Sequence, residues 1–248
     1  MSGATTALIA AAGLAAGVVG TAGGITSLVS YPALLAVGVP ALPANVANLV
    51  ALAWCWPGSA LASRPELAGT SPWLRRWIPV AALGGLLGAA LLLATPTHAF
   101  DQVVPFLVAA GSLALLLQPR LSARTDRAGR PHPGILLAGV LAMAAYSGYF
   151  GAGSGVMLLT LLLVTVDDRL PNANALKNML VGAATVMAAL AFIVFGPVEW
   201  AAVIPLSAGV FAGSLIGPRV ARHVPAPILR WVIALLGLGL AVRLWIGR

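Results

Sequence analysis

The chain has 248 residues, of which 60% are hydrophobic and only 8% charged, with a mean hydropathy of +0.99. An ordinary soluble domain carries roughly a quarter charged residues, so this composition excludes a water-facing globular surface. The net charge of +8, from 14 Lys and Arg against 6 Asp and Glu, would suit nucleic acid, but its placement excludes that reading too. Arg64, Arg75 and Arg76 share one connection, Arg120, Arg124, Arg127 and Arg130 a second, and Arg219, Arg222 and Arg230 surround a third, all between apolar runs. That is the charge pattern of cytoplasmic loops.

A bilayer span needs about 20 apolar residues, and uncharged runs over 4–63, 77–100, 103–118, 134–166 and 179–198 supply them repeatedly. The first 25 residues hold no Lys or Arg and so lack the basic flank of a cleavable signal peptide; they are expected to belong to the mature protein. The apolar stretch 6–37 carries Gly17-Val-Val-Gly-Thr-Ala-Gly-Gly24 near its middle. At about 1.5 Å per residue the stretch is too long for one upright helix and short for two, which predicts a helical hairpin or a helix broken at the glycines. Next come Pro40 and Ala44-Asn45 at the start of a span, a basic connection over 64–76, and a helix opened by Ile78-Pro79 and carrying Gly84, Gly85 and Gly88. A connection over 98–101 without Lys or Arg leads to an apolar helix ending before Gln118.

The same order then recurs. The run 134–166 carries Gly148-Tyr-Phe-Gly-Ala-Gly-Ser-Gly155, followed by Pro171 and Ala173-Asn174, a connection over 196–199 without Lys or Arg, an Ile204-Pro205 helix with Gly209, Gly213 and Gly217, and a final apolar helix before Arg248. The expected organisation is a first transmembrane repeat over 4–118, a basic cytoplasmic linker over 119–133 and a second repeat over 134–247. Each repeat is a Gly-broken hairpin plus three transmembrane helices, in an all-α polytopic membrane protein. The loop before the Ile-Pro helix is basic in the first half and uncharged or acidic in the second, and the loop after it shows the opposite. Corresponding loops then lie on opposite sides of the membrane, the mark of inverted-topology repeats. Both termini fall outside on this reading, with Arg243 and Arg248 weighing against it.

Irregular backbone at membrane depth is tolerated only where protein buries it or it lines a cavity, so matched Gly breaks point to a site. A helix restarting after the break offers unpaired N–H groups and a positive dipole end to an anion. The candidates are Gly20, Thr21, Gly23, Gly24 and Ser27 in the first copy, and Tyr149, Gly151, Gly153, Ser154 and Gly155 in the second. The competing reading makes Gly13/Gly17, Gly20/Gly24 and Gly151/Gly155 small-residue seams for close helix packing, as at Gly84/Gly88 and Gly209/Gly213/Gly217. Asn45 and Asn48, and Asn174, Lys177 and Asn178, share a helix face in their respective spans. Lys177 is the leading candidate for an anion contact, against an interfacial lysine that snorkels to headgroups. The asparagines divide between substrate contact and interhelical hydrogen bonding. Trp54 and Trp56, flanking Cys55, divide between a cavity lining and an aromatic belt or packing role.

All six acidic residues, Glu66, Asp101, Asp126, Asp167, Asp168 and Glu199, fall in connections, so no carboxylate proton relay is expected mid-span. His98, His132 and His223 lie at span ends and the chain has a single Cys55, so neither a metal site nor an intrachain disulfide is expected. No hydrolase elbow, phosphate loop or two-His motif is present. No catalytic residue and no cofactor are expected.

Gly17 to Gly24 followed by Tyr31-Pro32, Gly38-Val-Pro40 and Ala44-Asn45, with Gly148 to Gly155 followed by Pro171 and Ala173-Asn-Ala-Leu-Lys-Asn178, resembles the TauE/SafE family of sulfite exporter-like permeases over nearly the whole chain. The resemblance implies seven or eight membrane segments and transport of sulfite, sulfoacetate or other sulfonates. It points to the two glycine clusters, the Ala-Asn positions and Lys177. Leu163 stands where the first copy has Pro32, which implies a different end to the second hairpin. The function expected is a secondary transporter in the cell membrane that moves a small anion by alternating access. A channel for small solutes or anions, or a non-transporting membrane assembly protein, is the alternative. Its partners are the lipid bilayer and the small anionic substrate, not nucleic acid, and a homodimer is compatible with the reading.

Overall fold

A computed structural model describes residues 1–124, 133–220 and 242. The described chain is helical, in the order α1 (Gly3–Gly23), α2 (Ser27–Ala36), α3 (Ala41–Leu52), α4 (Cys55–Ala62), α5 (Arg64–Leu67), α6 (Ser71–Ala94), α7 (Thr97–Arg124), α8 (Pro133–Tyr149), α9 (Ser154–Thr165), α10 (Leu170–Phe195) and α11 (Trp200–Val220). Four stretches are long and apolar enough to cross a bilayer: Gly3–Ala22, Ser71–Ala94, Leu170–Phe195 and Trp200–Arg219. Large apolar side chains stay exposed along α6 and α10, among them Leu83, Leu87, Leu91, Ile193 and Val194. In water such a surface would aggregate, whereas in hydrocarbon it is the solvated face. The protein is an all-α, multi-pass membrane protein. The linker over 119–133 lies largely, and the final helix of the second copy almost wholly, outside the described residues.

Both glycine motifs break their helices. α1 ends at Gly23, and Gly24, at φ 78°, caps it by donating its N–H to the Gly20 carbonyl at 2.6 Å. α8 ends at Tyr149, and Gly151 (φ 80°) and Gly153 (φ 78°) turn the chain into α9. Left-handed φ values of this kind are open to glycine at little cost. The first break comes after 21 helical residues and α2 is short, with 10; the second separates helices of 17 and 12 residues. Under the register that aligns the two motifs, α2 and α9 end within two residues of equivalence despite Leu163 replacing Pro32. They differ instead at their starts, since α9 begins directly at Ser154 while α2 waits until Ser27.

The span after the first hairpin departs from expectation. In the second copy it is the continuous 26-residue α10, but in the first it splits into α3 and α4 around Ala53 and Trp54. Pro57 has no N–H for the Ala53 carbonyl and its ring crowds that turn, which accounts for the interruption.

Interlocked small-residue seams hold the long helices. Gly13 and Gly17 of α1 lie against Leu206 to Ser214 of α11, and Gly209, Gly213 and Gly217 lie in return against Ala10 to Thr21. Residue numbers rise together along the seam, so the two helices run parallel. Gly84 and Gly88 of α6 lie in the same way against Leu141 to Tyr149 of α8, where Gly148 meets the Gly85 backbone. For these glycines the packing reading is the correct one. A Cβ at Gly209 would sit 2.0 Å from the Ala10 carbonyl oxygen, and one at Gly88 1.9 Å from that of Ala145. Gly209→Val and Gly88→Val are each expected to lower stability by about 1–3 kcal/mol or more through overpacking, measured by thermal unfolding in detergent. Gly134→Ala, where a Cβ meets nothing within 4 Å, should be silent; equal effects at all three would contradict the seam assignment.

Candidate functional site

The two breaks meet. A Cβ on Gly24 would lie 2.6 Å from the Gly155 carbonyl carbon, and one on Gly155 2.7 Å from Gly24 Cα. Beside this contact is a cavity of about 50 Å³. At roughly 10–15 Å³ per water measured in this way, it suits a few waters or one small ion. Its wall is built from the end of α1 (Gly20, Thr21), the starts of α2 (Thr26, Ser27) and α9 (Ser154, Gly155), the α8–α9 turn (Gly151), α4 (Cys55, Trp56, Ser59) and the middle of α10 (Lys177, Asn178, Gly182).

Each broken helix leaves carbonyls without an intrahelical donor, and side chains around the cavity supply donors, most of them from the other half; the Gly20 carbonyl gains one besides its Gly24 N–H. Asn174 and Asn178 both donate to the Thr21 carbonyl, at 3.0 and 3.1 Å, and Lys177 Nζ donates to that of Gly20 at 3.4 Å. In the other half Asn45 donates to the Tyr149 carbonyl at 2.9 Å, and the Tyr146 hydroxyl to that of Ala152 at 2.9 Å. Asn48 donates to Ser27 Oγ at 3.1 Å and accepts from Ser30. The asparagines therefore make interhelical hydrogen bonds.

Lys177 is 1% exposed, so it does not snorkel. Its ammonium has three donors, and a single long hydrogen bond, to Gly20, is present among the described residues. Asp167, the carboxylate a few residues upstream, is engaged elsewhere. It accepts from Arg169 through Nε and Nη2, both at 3.2 Å, and from Asn172 at 2.9 Å. Hydrogen bonding from Arg169 chiefly holds its pKa down at about 2. Among the described residues, no Asp or Glu lines the cavity. Lys177 thus lies buried on the cavity wall with donors to spare.

Of the residues singled out from sequence, Gly20, Thr21, Gly24, Ser27, Gly151, Ser154, Gly155, Lys177 and Asn178 lie on this wall. Gly23 is the last residue of α1. Asn45, Asn48 and Asn174 are not on the wall; their amide nitrogens donate to the Tyr149 carbonyl, Ser27 Oγ and the Thr21 carbonyl, while Oδ1 of Asn45 and of Asn174 is buried without a partner among the described residues. Tyr149 turns away toward Thr95 and Phe100, with its hydroxyl 3.4 Å from Thr95 Oγ1, and Gly153 packs on Gly111.

With this geometry in place, comparison with known proteins decides the relationship. The family described as Sulfite exporter TauE/SafE matches residues 8–244. The chain belongs to this family. TauE/SafE relatives include "Probable membrane transporter protein ORF9" of Sinorhizobium sp, 27% identical over 96% of this chain and 91% of its own length. "Probable membrane transporter protein YfcA" of Escherichia coli (strain K12) is 27% identical over 92% of this chain and 85% of its own, and "Probable membrane transporter protein" of Haemophilus influenzae 23% identical over 93% and 90%. No solved structure matches. As a TauE/SafE protein the chain is a multi-pass membrane transporter, which sets aside the assembly-protein alternative.

The wall also holds residues that sequence reading left out: Thr26, Ser59, Ser147, Gly182 and Thr185. Two were within reach, since Gly182 is four residues beyond Asn178 and Thr185 eight beyond Lys177, both on one helical face. Ser59 and Ser147 come from other helices, and no spacing links them to Lys177.

The Thr21 carbonyl receives two donors, which predicts non-additivity. Asn174→Leu or Asn178→Leu alone should cost little, because one donor remains. The double variant strips the carbonyl and should cost roughly 1–3 kcal/mol, beyond the sum of the singles, by thermal unfolding in detergent. Singles as damaging as the double would contradict shared capping.

Proposed function

We propose that the chain is a secondary transporter for a small sulfur-containing oxyanion, such as sulfite or an organosulfonate, which it binds at Lys177 and moves by alternating access. The observation that carries this reading is Lys177, buried on the wall of a cavity to which no carboxylate contributes among the described residues. An anion supplies the missing charge and takes the spare N–H groups. Ser27 adds a donor, since its Oγ accepts from Asn48 and keeps its own hydrogen free for the ligand. The cavity volume suits an ion of a few heavy atoms, and the family's description as a sulfite exporter supports sulfur oxyanions as the class.

Alternating access also draws support from the helix seams. α1 pairs in parallel with α11, the counterpart of α6, while α6 pairs in parallel with α8, the counterpart of α1. Exchanging the halves 4–118 and 134–247 thus maps one seam onto the other, as inverted repeats require, and Gly24 and Gly155 touch where the exchange axis would pass. The moving bodies are then composites, each taking a hairpin helix from one half and an Ile-Pro helix from the other.

Radiolabelled sulfite uptake into proteoliposomes should saturate and show counterflow, which a channel would not. Lys177→Ala should lower uptake at limiting sulfite at least ~10-fold, as loss of hydrogen bonds to a charged ligand predicts. Because Cys55 is the single cysteine of the chain and lines the cavity, sulfoacetate, a sulfonate that does not itself attack the reagent, should also slow its reaction with a small methanethiosulfonate. Uptake unaffected by Lys177→Ala, with Cys55 unprotected, would sink the proposal.

A further inference from the structure

One polar group on the cavity wall stands apart from the Lys177 contact. Trp56 of α4 lines the cavity, yet its indole Nε1 is buried with no hydrogen-bond partner among the described residues. An indole N–H can only donate, and a buried donor without an acceptor is rare in folded proteins. The neighbouring Trp54 offers a contrast: it is 54% exposed and packs edge-on against Phe211, 6.4 Å between ring centroids. Trp56 is instead turned inward onto α10.

Its orientation there rests on one residue. A Cβ at Gly182 would lie 2.3 Å from Trp56 Cδ1 and 2.4 Å from Cγ. The Cβ–Cγ–Cδ1 side of Trp56 therefore lies on α10 at Gly182, and Nε1 is the next ring atom along from Cδ1. Gly182 is one turn beyond Asn178, and Lys177, Asn178 and Gly182 all belong to the cavity wall. A glycine in the interior of a helix weakens it relative to alanine; at position 182 only a glycine leaves room for the indole.

We propose that Trp56 Nε1–H is a second hydrogen-bond donor to the transported anion, and that Gly182 is the positioning residue that seats it. The inference rests on the anion-transport reading and narrows it. Lys177 contributes charge and Trp56 a fixed, neutral donor from the opposing helix, so the ligand class is an oxyanion with at least two acceptor oxygens, one for each. A site built to satisfy two donors discriminates against a ligand that leaves one unpaired.

Kinetics of radiolabelled sulfite uptake in proteoliposomes provide the test. Trp56→Phe keeps the ring and removes the N–H; it should raise KM about 10-fold and leave Vmax within about 2-fold. Gly182→Ala, which displaces the indole but retains its N–H, should raise KM in the same direction. In wild-type protein labelled with ¹⁵N-tryptophan, the indole resonance missing from Trp56→Phe, or displaced in Gly182→Ala should the former fail to fold, should shift on sulfite addition. If uptake depends on Lys177 while both variants keep the wild-type KM and that resonance stays still, the donor role of Trp56 is overturned and the transport reading stands. If wild-type protein neither carries nor binds sulfite, both fall together.

Discussion

A backbone carbonyl left open at the depth of a bilayer has no water to turn to, and the architecture of this protein follows from that constraint. The glycines that break α1 and α8 create such carbonyls at Thr21, Tyr149 and Ala152. Asn174 and Asn178 close the Thr21 carbonyl and Asn45 that of Tyr149, each from the other half, while the Tyr146 hydroxyl closes that of Ala152 from within its own hairpin. The Thr21 and Tyr149 carbonyls are thus completed by the span of the opposite half. Neither is satisfied until the halves are assembled, so the requirement for hydrogen bonds at the breaks also fixes how the halves meet.

The seams reinforce the exchange. Helices that approach closely enough for a Cα to touch a neighbouring carbonyl gain dispersion and Cα–H···O contacts over their whole length, and here they join α1 to α11 and α6 to α8. Such pairs slide poorly, because each glycine is registered against a particular turn of its partner. Under the proposed alternating access, relative motion would fall at the carbonyl caps and the Gly24–Gly155 touching point beside the cavity, and a ligand bridging the walls would act on that joint.

Much of this was legible in the chain. The apolar runs, the doubled glycine motif and the Asn-Lys-Asn face of α10 led to the membrane class, to the breaks and to a buried Lys177, because each is a local pattern whose physical meanings in hydrocarbon are few. What was illegible is pairing. Gly13 and Gly17 announce a seam but do not name Gly209 and Gly213 as its other side, and nothing in Ser59 or Ser147 marks them as neighbours of Lys177. The interruption at Ala53 was within reach through Pro57. The asparagines were open to two readings because an amide that caps a carbonyl and an amide that holds a ligand have the same spacing on a helix; only the positions of Thr21 and Tyr149 separate them. Tyr149 shows the limit of motif logic, since it sits inside the second glycine motif and faces Phe100.

Lys177 carries an implication for mechanism that follows from burial alone. On the proposed reading, an ammonium ion enclosed by protein is destabilised unless an opposite charge accompanies it, so a conformation that encloses Lys177 would be favoured when an anion is present and disfavoured when the cavity is empty. A carboxylate at position 178 or 182 would relieve that strain and, by the same token, hold the ligand's place. With no carboxylate on the wall among the described residues, occlusion would be conditional on the anion, and such dependence of conformation on occupancy is what a carrier of the proposed kind needs in order to move its substrate without opening a leak.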